Sequence, residues 1–157
     1  MVDDDAVFRE ELAELLRDER HEVTACPSVP KALEELAHGE FDAILSDLKM
    51  PRQGGLDLLR EVRARYPSTP LVIVTGFATV ETAVAAMKSG AAEYIQKPFK
   101  IDQVRDVLQH LEISEALRHS AHGDELRAVL AHTPAARSRS SRWRMRLSVK
   151  RASGIVR

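Results

Sequence analysis

Cysteine is almost missing from this chain. Cys26 stands alone among 157 residues, so no disulfide can form within the molecule, and a buried structural thiol is the expected role. Aromatic residues make up 4% against 44% hydrophobic residues overall, which predicts an aliphatic core. No window approaches the roughly 18 consecutive apolar residues of a membrane helix. No basic-then-apolar leader opens the chain either, so a cytoplasmic protein without membrane contact is expected. The six histidines show no metal-ligand spacing and receive no functional role. A glycine-rich phosphate loop is missing too, so a nucleotide is not the expected phosphoryl donor.

Charge is plentiful and unevenly placed. The net charge is −1, yet residues 134–157 hold eight bases and no acid, leaving fifteen bases against twenty-four acids in residues 1–133. An acidic body of net charge −9 carries a basic tail. The length favours one compact domain plus an appendage.

From Ala6 onward, helix and strand signals alternate with short connections. Phe8, Leu12, Leu15 and Leu16 repeat at helical spacing, and a short β-prone run, HEVTACP, follows. Pro30 opens a second helix with Ala32, Leu33, Leu36 and Ala37 as its apolar stripe, and Gly39 ends it. FDAILSD is a near-continuous apolar run ending in acid. The next helix carries Leu59, Val62 and Tyr66 and stops before Pro67. PLVIVTG is the purest strand pattern. Thr79 is expected to cap a helix with Ala83, Val84 and Met87 inward, closed by Gly90. AEYIQKP is a last strand, and Ile101, Val104, Leu108 and Leu111 stripe a final helix.

Apolar strands without alternation are buried on both faces, and intervening helices imply right-handed parallel crossovers. The predicted fold is therefore α/β, a doubly wound sheet of five parallel strands. Such sheets carry their sites beyond the carboxyl ends of the strands. The residues there are Asp3 and Asp4, Asp47, Thr75 and Lys97. Clustered carboxylates need a cation, and oxygen-only ligands favour Mg²⁺ over a transition metal. A metal beside carboxylates, with an ammonium and a hydroxyl opposite, suits the handling of a phosphoryl group, with one carboxylate as nucleophile. Asp5, one place past the pair, is expected to be solvated and idle.

VDDD after the first strand, LSDLKMP with a following glycine-leucine, VTG and KPF, in that order at strand ends, resemble a response-regulator receiver domain of two-component signalling. The NtrC-type receivers are the most similar. The resemblance covers residues 1–112 and implies a flavodoxin/CheY-like fold. It implies Asp47 as the phosphoacceptor for a sensor histidine kinase, in a phosphorelay that ends on an unidentified effector. Mg²⁺ would be held by Asp4, Asp47 and the backbone carbonyl of Lys49, and by Asp3 through water. Thr75 would be the switch hydroxyl, Lys97 the phosphoryl-binding base, and Tyr94 the aromatic that rearranges with Thr75. A cis Lys97–Pro98 bond is implied too, as is switching, with possible homodimerisation, at the face of the last two helices and strand. Such a domain takes part in its own phosphorylation and dephosphorylation but is not a turnover enzyme. Phe77, two places after Thr75 as Lys49 is after Asp47, is expected to shield the acyl phosphate from water.

Three departures stand out. Gly54 replaces the family's acidic or amide residue beside Gly55, and the pair is expected to loosen the loop near Asp47. The first strand offers two residues before its acids, where about 5–6 are typical. The expected result is a trough in the core and a loss of several kcal/mol. Beyond the receiver, 113–133 reads as a helical linker and 134–157 as a basic, disordered tail without a recognisable output domain. The rival reading is a truncated DNA-binding transcriptional regulator whose tail contacts nucleic acid without a recognition motif.

Overall fold

The first helix begins on an acid. Asp5 accepts hydrogen bonds from the Val7 and Phe8 N–H groups at 3.0 and 3.1 Å, which caps α1 (Ala6–Asp18). The residue expected to be idle therefore starts the element that follows the site. In the computed structural model, which describes residues 1–120, α1 is followed by α2 (Val29–His38), β1 (Ile44–Ser46), α3 (Gly55–Arg65) and β2 (Leu71–Thr75). Then come α4 (Val80–Lys88), β3 (Glu93–Gln96) and α5 (Ile101–Ser120). The basic segment 134–157 and the greater part of the expected linker lie outside the described residues; position 112 falls inside α5.

The five-stranded sheet of the sequence reading is corrected to three strands among the described residues, in the parallel order β1–β2–β3. The other two positions are occupied at the width of single bridges. Val2 pairs in parallel with Cys26 on one side and with Ser46 on the other. The Met1 nitrogen donates to Thr24 O, Cys26 N to Met1 O and Asp3 N to Cys26 O. On the other flank Val2 N donates to Leu45 O and Asp47 N to Val2 O. These few residues do the pairing of a central strand, and Met1, Val2 and Asp3 are all buried. The expected trough is a cavity of about 20 Å³ beside Met1, Cys26, Leu36 and Phe41, room for about one water.

The winding follows from this order. From Val2 the chain moves outward through α1 to Cys26, then back across through α2 to β1, and onward through α3 and α4. Right-handed crossovers then put α1 on one face and α2, α3 and α4 on the other. α5 returns to the face of α1, where Arg105 pairs with Glu19 and the Phe8 and Phe99 rings meet edge to face. The winding reverses between residues 1–3 and β1, the point where such sheets open a crevice.

The core is aliphatic as the composition predicts: Leu12, Leu16, Leu58, Leu59, Val62 and all of Leu71–Val74 are buried. Two apolar patterns need correction. Leu15 is exposed, and Ala13 packs inward in its place. On α4, Val84 and Met87 are 45% and 47% exposed, while Ala86 is buried. Thr79 caps α4 by accepting from Thr82 N at 3.1 Å, and Gly90, at φ 93°, follows its end as expected.

Candidate functional site

The strand ends deliver Asp3, Asp47, Thr75 and Lys97 to one edge of the sheet. Asp3 and Asp47 are buried because the segments that carry them are neighbours, joined by the bond from Asp47 N to Val2 O at 2.8 Å. Lys97 enters from the far end of β3, after which the Lys97–Pro98 peptide is cis. Its Nζ donates to Asp3 Oδ2 at 2.7 Å and lies 3.6 Å from Asp47 Oδ1. The other oxygen of Asp47 accepts from Lys49 N–H at 2.9 Å. Thr75, fully buried at the end of β2, accepts from Phe77 N–H at 3.2 Å.

Burial raises the Asp47 carboxyl above the ordinary aspartate range. Lys97 opposes that, Asp3 reinforces it, and the Thr75 hydroxyl and Lys49 N–H pull it back. Asp47 is therefore a desolvated carboxyl group with the Lys97 ammonium at hand. Two aromatic faces flank the group. Lys97 Nζ sits 3.5 Å from the Phe8 ring centroid, and Lys49 Nζ sits 4.2 Å from that of Phe77.

Residues 1–109 match the response regulator receiver domain family. The chain belongs to that family. Phosphorylation by a histidine kinase is the standard role of these receivers, which are signalling modules rather than turnover enzymes and interact with sensor kinases and effector domains. The response regulator protein FleR of Pseudomonas aeruginosa is 39% identical over 108 residues, which cover 69% of this chain and 23% of that protein. The transcriptional regulatory protein ZraR of Klebsiella oxytoca is 35% identical over 136 residues, 87% of this chain and 29% of that one. The chain thus spans about a quarter of the length of these relatives. Among solved structures, the receiver domain of NtrX from Brucella abortus is 33% identical, with a TM-score of 0.67, covering 70% of this chain and 93% of that one. A receiver domain protein from Clostridium thermocellum is 28% identical, with a TM-score of 0.70 over 74% and 94% of the two chains.

Receiver domains bind Mg²⁺ at the phosphorylation site. In this receiver the donor chemistry fits: Asp3, Asp4, Asp47 and the Lys49 carbonyl offer oxygen alone, and three carboxylates against Lys97 leave two negative charges to offset. No ready-made cage of three such side chains exists among the described residues, however. Asp4 is exposed, and Lys97 bonds to Asp3.

Tyr94 is not gathered into the group. It lies on β3 opposite Ile73, and its hydroxyl is 3.0 Å from the Thr82 hydroxyl of α4. Thr82, which also bonds to Thr79, drew no notice in the sequence reading because a lone helical threonine carries no motif. Phe8 and Arg9 were missed as site neighbours as well. Phe8 fits the core stripe of α1, and Arg9 reaches back to the Asp3 carbonyl at 2.7 Å; neither contact leaves a spacing in the sequence. Gly54 and Gly55 do not loosen the Asp47 loop. Gly55 N–H donates to Leu48 O at 2.9 Å, so the start of α3 lies directly against it.

No helix among the described residues is long and apolar enough to cross a membrane. Cys26 is free and buried, and burial pushes its thiol up, away from reactivity.

Proposed function

We propose that Asp47 accepts the phosphoryl group from the histidine of a sensor kinase. One carboxylate oxygen attacks phosphorus, the phosphorus–nitrogen bond of the donor breaks, and the imidazole leaves with a proton; the product is an acyl phosphate. The observation that carries the reading is the buried Asp47 carboxylate with Lys97 Nζ at 3.6 Å. Lys97 neutralises the phosphoryl oxygens, and Thr75 offers its hydroxyl from the neighbouring strand end. Asp4, Asp47 and the Lys49 carbonyl, with Asp3 through water, are the groups that would hold Mg²⁺, which would supply further positive charge at the acceptor.

The signal leaves through α4, β3 and α5. An inward movement of Tyr94 with Thr75 breaks the Tyr94–Thr82 bond that now ties β3 to α4. Val80, Val84 and Met87 stand exposed on α4, an apolar stripe suited to an effector or a second receiver. The proposed setting is the cytoplasm, where a kinase has ATP to charge its histidine.

Intact-mass measurement after incubation with acetyl phosphate and Mg²⁺ tests the acceptor. The chain should gain one phosphoryl group and Asp47→Asn none; a gain retained by the variant rules Asp47 out. Phe77, 59% exposed beneath Lys49, should shield the product from water. Phe77→Ala is expected to shorten the acyl phosphate half-life a few-fold. Unchanged decay in Phe77→Ala, Phe77→Glu and Phe77→Ser alike would remove that role.

A further inference from the structure

Lys97 has more freedom than its role permits. Its flexible four-carbon stem has many rotamers to lose, and its side chain is 19% exposed. Among the described residues one hydrogen bond, to Asp3, holds the ammonium, while Asp47 at 3.6 Å lies beyond hydrogen-bond range. The other close neighbour among the described residues is the Phe8 ring, whose centroid is 3.5 Å from Nζ. That ring is itself held: Phe99 meets it edge to face at 6.0 Å and 88°. Phe99 follows Lys97 by two residues, so the loop that supplies the cation also braces the surface beneath it.

We propose that Phe8 is the positioning residue for Lys97, a shelf whose face keeps the ammonium between Asp3 and Asp47. This rests on the reading of Asp47 as the phosphoacceptor. An aromatic face suits the task better than another carboxylate. Its quadrupole attracts a cation, yet it has no single acceptor atom. The ammonium can slide from Asp3 toward a group on Asp47 while staying over the ring. A third carboxylate would fix the ammonium in its resting place and add charge against the incoming phosphoryl group. The ring also covers the side of Nζ that would otherwise be hydrated, so less water has to leave when the phosphoryl group arrives.

The test compares the full chain with Phe8→Leu, which keeps apolar volume but loses the ring, and Phe8→Tyr, which restores it. Phosphoryl uptake from acetyl phosphate should slow about threefold to tenfold in Phe8→Leu, with Phe8→Tyr close to the original rate. Leucine at the original rate, or tyrosine as slow as leucine, overturns the proposal. A second readout needs no phosphorylation. The Lys97 Hε protons should show an upfield ring-current shift in NMR spectra of the unsubstituted chain and of Phe8→Tyr, and lose it in Phe8→Leu. Unshifted protons in the unsubstituted chain remove the shelf even if the leucine variant fails to fold. A chain that takes no phosphoryl group but shows the shift refutes the acceptor reading and leaves the shelf standing.

Discussion

Lys97→Met is expected to destabilise the domain by about 3 kcal/mol at neutral pH, because it strips a buried carboxylate pair of its counter-charge. Methionine can still cover the Phe8 ring, so packing alone predicts a small change. The charge argument predicts a large one with a definite pH dependence. Asp47 already titrates above its ordinary range through burial, and Lys97 is the strongest influence opposing that. Without Lys97 the folded-state value moves higher still, while the unfolded value stays near 3.8. Between the two values the native state holds a proton that the unfolded chain has released. Stability is therefore fully present below about pH 4 and is lost as pH rises through the raised folded-state value. Urea midpoints of variant and parent, compared with EDTA present, should nearly coincide at pH 4 and diverge toward pH 7. A deficit that stays constant with pH would mean that packing, not charge, is what Lys97 contributes. Phosphoryl uptake should fall as well, since the group that meets the phosphoryl oxygens is gone.

Gly55→Ala should cost a similar amount, about 3 kcal/mol, by a purely steric route. A Cβ at Gly55 would lie 2.3 Å from the Asp47 carbonyl oxygen and 3.1 Å from both the Asp47 carbonyl carbon and Ile73 Cδ1. The nearest atom is backbone, so it cannot swing aside. Either α3 withdraws from the sheet or the Asp47 peptide turns, and each outcome displaces the acceptor. The sign is diagnostic, because helix propensity by itself favours alanine over glycine by about 1 kcal/mol. Gly76→Ala serves as the control, with nothing within 4 Å of its added Cβ. The urea midpoint should fall and acetyl phosphate labelling should slow for Gly55→Ala alone. Equal behaviour of the two alanine variants would show that α3 does not need its close approach to Asp47.

Both effects arise at the same crossing of backbones, and it was only partly legible beforehand. Leu71–Thr75 announces itself because a run of apolar β-branched residues has few other uses than a strand buried on both faces. The same holds for the placement of Asp47, Thr75 and Lys97: each ends such a run, and parallel strands gather their carboxyl ends at one edge. Thr79 and Gly90 mark the ends of α4 through local hydrogen bonding and a left-handed turn, and local rules are written in neighbouring residues.

Misreadings occurred where the decisive contacts join residues far apart in the chain. Val84 and Met87 fit an inward stripe as well as an outward one, and the side of α4 that met the sheet was settled by packing on β3. Gly55 looked like a source of looseness, since a glycine's freedom is visible locally while the Asp47 carbonyl against it is not. The first strand is as brief as it reads, one bridge on each side, but its length did not show that bonds on both flanks of residues 1–3 place Asp3 within reach of Lys97.

Composition and periodicity alone determined the α/β class, the aliphatic core and the identity of the acids, hydroxyl and lysine at the strand ends, because those properties depend on residue type and short-range spacing. Tertiary structure alone decided that Asp5 caps rather than drifts, that Tyr94 is tied to Thr82, and that Lys97 rests on Phe8. The last two contacts depend on how a helix is rotated against a strand or loop distant in sequence, and that rotation is set by the packing of the whole core.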